Sequence, residues 1–215
     1  MYLIIDRALL FFYIYIYIKM FRRLENKLLR NINTPPEIVR QLMKTAISIG
    51  EIRKAVPSIP VMLYDKIPDN IPLDIWLSKI SPKYKCVIIL YLWDRTPEGA
   101  YGHFISILSH HPNTIEVFDS TAQEPDYLRN LQDYSTASSL GQGTLKILSN
   151  IRTNNYEGRY NSDLLQKKNM ETCGRWCILR CLFGDYSEEQ FASTIKSLSK
   201  KYKLSKDYLI VLLTM

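Results

Sequence analysis

Residues 169–184 read NMETCGRWCILRCLFG, and the rest of the chain is interpreted outward from this segment. Glu171 or Thr172 starts a helix, Ile178, Leu179, Leu182 and Phe183 give it an apolar run, and Gly184 offers a stop. Cys173 therefore falls in the first turn. Unpaired N–H groups and the positive end of the helix dipole both favour S⁻ over SH there, and the thiolate is the reactive form of cysteine. Packing is the competing use of any cysteine, because free cysteines are among the most buried residues. Cys177 and Cys181 fit that use: they follow Cys173 at i+4 and i+8 on one helical stripe beside Ile178 and Leu182.

A chain of 215 residues suits one domain with a core large enough to need no disulfide support. Three of the four cysteines share C-x3-C-x3-C spacing on this one helix, which suits neither bridge geometry nor the usual zinc pairings. A reducing compartment follows. The formal charge of +7 is uneven: residues 20–54 carry eight Lys or Arg against three acids, and 196–207 carry five Lys against one. Between Ile71 and Leu140 acids outnumber bases eight to five. The basic ends fit either a solvated face or contact with nucleic acid or an acidic partner.

Residues 1–19 stand apart. The apolar run Ala8–Ile18 is eleven residues, against the roughly 20 a membrane span needs, and no small-residue cleavage site follows it. Tyr13–Ile18, YIYIYI, is what an alternating TATATA tract gives when read as codons, so residues 1–19 are expected to be a non-native upstream extension, with Met20 the natural start. An interfacial hydrophobic segment is the alternative. The organisation expected for 20–215 is a single domain: a basic helical region (20–72), a core (73–184) and a C-terminal helical segment (185–215).

Thr34 and Glu37 have capping-box spacing around Pro35–Pro36 and open a helix that continues through Leu42, Met43, Ala46, Ile47 and Ile49, ending at Gly50 or Pro57. Residues 57–72 are proline-punctuated, with an extended piece near Val61–Tyr64. Leu73–Ile80 is a short helix. Cys86–Trp93, CVIILYLW, is a continuous apolar run expected to form a strand covered on both faces, followed by a polar loop over Asp94–Ala100. Helices are expected at Asp126–Gln132, Ser138–Asn150 and Ser187–Tyr202, with a short strand at Tyr156–Tyr160. The apolar tail Ser205–Met215 fits a helix or a buried strand.

The segments GHFISIL (102–108) and TIEVFD (114–119) form a hairpin across Ser109–Asn113. If its turn centres on His111, His103 and Asp119 face each other directly, with Cβ atoms about 4.5 to 5.5 Å apart. The carboxylate then accepts a ring N–H, fixes the tautomer and supports an imidazolium. A surface ion pair is the commoner use of such residues. His110 and His111 fall in the turn, exposed.

Attack of a thiolate on an amide carbonyl needs a base, a group that orients the base, and donors aimed at the developing oxyanion. His103, Asp119 and Cys173 fill the first roles. Gln166, seven residues before Cys173, and the free Cys173 N–H supply two donors, and Gly174 lets a substrate backbone approach closely. The set is that of a cysteine hydrolase.

The order His103, Asp119, Gln166, Cys173, with GHF before the base, FDS around the acid and Q-x6-CG at the nucleophile, resembles the adenovirus-type and ubiquitin-like-protein-processing (adenain/Ulp-like) cysteine proteases over roughly Leu73–Gly184. The compact spacing is most similar to the maturation proteases of virophages, related DNA viruses and large transposons. This resemblance implies an α+β fold of papain-like architecture, a central mixed β-sheet flanked by helices, with the nucleophile at a helix N-terminus. It implies the catalytic set His103, Asp119, Gln166 and Cys173. Phe104 stands where many relatives have tryptophan, so the wall beside the catalytic ring differs, and Trp93 fits either a cover over the substrate channel or core. The implied activity is cleavage of viral capsid or core precursors beside glycine or other small residues, in the virion and the viral factory of the host cytoplasm. The alternatives are processing of ubiquitin-like conjugates and, from another class, a non-catalytic nucleic-acid-binding scaffold. No cofactor is required, no stable membrane span is expected, and activation by DNA or a peptide through the basic segments follows from relatives of the adenovirus type.

Overall fold

The computed structural model describes residues 7–96, 99–111, 113–127 and 132–215; the side chains of 7–14, 16, 17, 95, 96, 99, 100 and 111 lie outside the description. The fold is α+β, built on a mixed five-stranded open sheet in the order β1-β2-β3-β4-β5. The strands are β1 (Val61–Leu63), β2 (Cys86–Thr96), β3 (Gly99–His111), β4 (Thr114–Phe118) and β5 (Glu157–Tyr160). The pairs β2–β3 and β3–β4 are antiparallel, whereas β1–β2 and β4–β5 are parallel. The helices are α1 (Arg7–Asn31), α2 (Pro36–Met43), α3 (Ile49–Ala55), α4 (Leu73–Ile80), α5 (Tyr134–Ser139), α6 (Lys146–Thr153), α7 (Cys173–Leu182), α8 (Glu188–Tyr202) and α9 (Lys206–Thr214).

Strand β2 is apolar without alternation because both sheet faces are covered. Cys86, Ile88, Leu90 and Leu92 join Phe104, Leu108 and Phe118 in a core completed by α1, α3, α7, α8 and α9. Val87, Ile89 and Tyr91 join Ile105, Ile107, Ile115 and Val117 against Trp76 and Leu77 of α4 and Ile147 and Ile151 of α6. The apolar tail that the sequence left open is helix α9, buried from Leu209 to Thr214.

Several local expectations are corrected. Thr34 caps nothing: α2 starts after Pro35 with no side-chain cap, and the chain breaks at Lys44. The capping box belongs to the next helix, where Ser48 accepts from the Glu51 N–H and Glu51 accepts from the Ser48 N–H. The polar segment Asp94–Ala100 extends both strands of a hairpin through Thr96 and from Gly99, since polar residues at the rim of a sheet pair as readily as apolar ones. The single helix expected over Ser138–Asn150 is two, split where Gly141 takes φ +74°. The helix expected over Asp126–Gln132 falls mostly outside the described residues, although Asp126 itself is buried and accepts from the hydroxyls of Tyr64 (2.6 Å) and Tyr91 (2.7 Å).

Candidate functional site

Strand β3 places His103 opposite Tyr91, and Gly102 just before it permits the close approach: a Cβ there would stand 1.7 Å from the Tyr91 carbonyl oxygen. The β3–β4 register differs from the expected one. Ser106 faces Phe118 and Ser109 faces Ile115, so Asp119, one residue beyond β4, continues that register opposite Ile105 and lies diagonal to His103. The reason is a longer β3 and a tighter turn, since β3 runs to His111 with a bulge at His110. His103 Nε2 nevertheless sits 2.8 Å from Asp119 Oδ1. A two-residue shift keeps both side chains on one face of the sheet, and a diagonal pair is within reach of an imidazole.

The acid is held from all sides. The Thr121 N–H and Oγ1 both donate to Asp119 Oδ1 at 2.7 Å. Asn161, just beyond β5, clasps the Asp119 backbone both ways: its Oδ1 accepts from the Asp119 N–H at 2.8 Å, and its Nδ2 donates to the Asp119 carbonyl at 2.6 Å. A carboxylate is acceptor-only, so Nε2 of His103 carries its proton and Nδ1 is left for the other partner. Cys173 is the second group that acts on this ring, and like Asp119 it favours the charged imidazole. Burial opposes a charge on His103 more than any other single effect. The hydrogen bonds of Asp119 and Cys173 and their negative charge together outweigh it and raise the imidazole to about 10.

Cys173 is the first residue of α7 and is 5% exposed. The first backbone bond of the helix runs from Trp176 N–H to the Thr172 carbonyl, so the N–H groups of Cys173, Gly174 and Arg175 have no intrahelical acceptor. Gln166 is buried in the segment leading into α7. Its Oε1 accepts from Ser120 Oγ at 2.8 Å and its Nε2 donates to the Met170 carbonyl at 2.5 Å, which leaves one amide hydrogen free of these contacts. Because Ser120 follows Asp119, the acid and the glutamine are joined through adjacent residues. Cys177 and Cys181 are buried, and burial pushes both thiols well up, as suits packing.

The three residues expected at the substrate divide. Trp93 stands at the bulge of β2, is 52% exposed, and its ring lies 12° from parallel to His103 at 6.5 Å between centroids, so it is not core. Gly174 and Phe104 both pack against the core. A Cβ on Gly174 would meet Ile47 Cγ2 at 2.5 Å, Phe104 Cδ2 at 3.0 Å and Ile52 Cδ1 at 3.2 Å; the glycine lets the first turn of α7 seat against the core, and Phe104 is part of that seat. The expectation for His110 is corrected. Its Nε2 is 2.6 Å from Glu116 Oε2, and Glu116 is also gripped by Arg180 of α7 at 2.6 and 2.7 Å. The His111 side chain lies outside the described residues.

Sequence reasoning missed Thr121, Asn161, Gln142 and Asp207. Thr121 had a signal, since a donor two residues after an aspartate is an Asx-turn pattern. Asn161 and Gln142, whose amide bonds both the N–H and the carbonyl of Leu92 beside the bulge, act over long sequence separations and had none. The basic N-terminal region contributes Arg23, Lys27 and Arg30 to a groove of about 480 Å³ beside the last turn of α7. Among the described residues no group of three or more His, Cys, Asp or Glu side chains forms a metal site, and no helix is long and apolar enough to cross a membrane.

The arrangement is a thiol at a helix start, an imidazole and a buried carboxylate in series, which equips the ring to take a proton from sulfur and hold it. No family model matches the chain. It is similar to the uncharacterized protein V9 of Sputnik virophage, 29% identical over 176 residues, which covers 80% of this chain and 95% of that protein.

Proposed function

We propose that the chain is a cysteine endopeptidase of papain-like architecture, of the adenain/Ulp type, that cleaves viral capsid or core precursors beside glycine or other small residues during virion maturation. The observation that carries the proposal is His103, bonded through Nε2 to Asp119 and interacting with the thiol of Cys173 at the start of α7. The chemistry follows in order. Proton transfer from Cys173 to His103 gives a thiolate–imidazolium pair, and the sulfur attacks the scissile carbonyl. The oxyanion is met by the Cys173 N–H and the free Gln166 amide hydrogen. His103 protonates the leaving amine, then takes a proton from the water that hydrolyses the thioester, restoring the thiolate–imidazolium pair. Trp93 borders the ring on its exposed side and is suited to contact the substrate.

Similarity to a virophage protein supports the viral setting and, with it, a place in the virion and the viral factory of the host cytoplasm. The groove bearing Arg23, Lys27 and Arg30 supports DNA contact as an activating influence, with a peptide as the other activator; DNA should raise activity on a peptide substrate and added salt should remove the gain.

A cysteine-directed activity probe tests the proposal. Labelling at Cys173 that disappears in His103→Ala, together with cleavage of a capsid precursor in preference to a ubiquitin-like fusion, is the expected result. Cleavage of the fusion alone would move the substrate to ubiquitin-like conjugates. Protein that stays unlabelled yet shifts DNA on a gel would replace the enzyme with a nucleic-acid-binding scaffold.

A further inference from the structure

Asp207 lies in the first turn of α9, 34 residues past the nucleophile, and is 2% exposed. Its Oδ1 accepts from Thr172 Oγ1 at 2.5 Å and from Trp176 Nε1 at 3.3 Å, and its Oδ2 accepts from the Lys167 N–H at 2.9 Å. These partners are not scattered. Lys167 follows Gln166, Thr172 precedes Cys173, and Trp176 is one turn into α7. One carboxylate therefore grips both ends of the segment between the proposed oxyanion donor and the proposed nucleophile. A neighbouring bond from Lys206 Nζ to the Leu164 carbonyl (2.9 Å) ties the chain just before Gln166 to α9 as well.

A carboxylate suits this place better than its isosteres. The Lys167 N–H and Trp176 Nε1–H are obligate donors and the Thr172 hydroxyl can donate, so an acceptor-only group satisfies all three. The charge sits at the N-terminal end of α9, where the helix dipole favours it. Thr172, with its hydroxyl committed to Asp207, does not cap α7 with its side chain. The starting point of α7 is thus set by a contact with another helix.

We infer that Asp207 is a positioning residue of the proposed thiol site: it fixes the start of α7, and through it the approach of Cys173 to His103 and the offset between Cys173 and Gln166. The inference rests on the peptidase reading for its purpose, and its geometry stands apart from it. Misplacement of reacting groups by about 1 Å can cost on the order of 10²-fold in rate, so a residue that touches no substrate can control turnover from here.

The test is alkylation of Cys173 by iodoacetamide in the full chain across pH 5 to 10, followed by mass spectrometry at that residue, for wild type, Asp207→Ala, Asp207→Asn and Thr172→Val. Buried Cys177 and Cys181 report any unfolding. The wild type should react readily at pH 6. Asp207→Ala should react roughly tenfold more slowly there, with its profile displaced to alkaline pH, while Cys177 and Cys181 stay protected. Asp207→Asn, which keeps one oxygen for Lys167, should fall between them, as should Thr172→Val. Wild-type pH profiles in the folded variants overturn the inference, and if Asp207→Ala does not fold the other two decide. The readout needs no turnover. A wild type that shows this dependence on Asp207 but cleaves no peptide supports the clasp and rejects the peptidase, whereas a wild type silent at pH 6 overturns both.

Discussion

Asp119 and His103 meet at 2.8 Å although they are not partners in the β3–β4 register; the acid reaches the ring diagonally from one residue beyond the end of β4. Nothing in the ladder itself holds Asp119 there. Its position depends on Asn161 and Thr121, so the pair is built by loops at the rim of the sheet.

The first expected outcome concerns pH. Burial opposes the imidazolium, but Asp119 and Cys173 raise His103 from 6.5 to about 10. A group raised on folding stabilises the native state fully below its unfolded value and loses that contribution as pH climbs through the folded value. The stability of the wild type relative to His103→Gln should therefore be greatest below about pH 6.5 and decline toward pH 10. Cys173→Ala removes one of the raising partners and should narrow the window. Urea denaturation at pH 6 and 9.5 measures both effects, and parallel pH profiles for wild type and His103→Gln would refute the assignment.

Gly174 carries the second. Substitution by alanine puts a methyl 2.5 Å from Ile47 Cγ2, which must move. Overpacking of this kind costs about 1–3 kcal/mol. Shortening Ile47 to alanine opens that space, so Gly174→Ala/Ile47→Ala should be less unstable than the sum of the single variants. Additive denaturation free energies would place the glycine's role elsewhere.

The amount of this fold legible in the sequence follows from how local each signal is. The β2 run, α4, the start of α8 at Ser187 and the placement of Cys173 all rest on patterns within one element, and they stand as read. The β3–β4 register differs by two residues from the expected one because it depends on where the turn closes, and a bulge at His110 moves that point. The face survived, since a strand repeats every two residues. The packing of Gly174 against Ile47, Phe104 and Ile52 has no local signal, because those contacts come from other segments of the chain. Asp207 left no trace, because its three partners lie 31 to 40 residues away.

Glu116 and Arg180 supply the third outcome. Both side chains are almost fully buried and paired at 2.6 Å between Glu116 Oε1 and Arg180 Nε. Burial alone would raise the Glu116 carboxyl, but the bonds from His110 and Arg180 and their charge bring it down to about 2. A carboxylate depressed on folding stabilises the protein above its ordinary value and loses that contribution as pH falls through the folded one. Acid should therefore destabilise the wild type between about pH 4.5 and 2, and Glu116→Gln should lose this component of the slope. At neutral pH the same variant leaves Arg180 buried without its counter-charge, at a cost of about 3–5 kcal/mol. A neutral-pH denaturation midpoint equal to wild type would count against a structural role for the pair.

Trp93 separates contact with substrate from stability. Because it is half exposed, its removal should change folding free energy by no more than about 0.5 kcal/mol. If it borders the substrate as proposed, Trp93→Ala should lower kcat/KM roughly tenfold, and Trp93→Phe should recover most of the loss by keeping a ring beside His103. Unaltered kcat/KM in the alanine variant would remove Trp93 from the site.

Asp119→Asn gives the last outcome, and Thr121 decides its size. An amide in place of an orienting carboxylate can turn its NH2 toward the imidazole, force the wrong tautomer and cost on the order of 10⁴-fold in turnover. Here the Thr121 N–H, an obligate donor, points at the same Oδ1 that faces His103 Nε2. An asparagine oxygen is held in that position, with the NH2 turned away, so the ring keeps its proton on Nε2. Only the negative charge that supports the imidazolium is lost. Asp119→Asn should accordingly retain turnover within about 10²-fold of wild type, at the lower end of what a general base and its support contribute, while Asp119→Ala, which removes the acceptor as well, should fall much further. The ratio of kcat/KM between these two variants is the measurement. Equal losses would mean that charge, not orientation, is what Asp119 supplies to the ring.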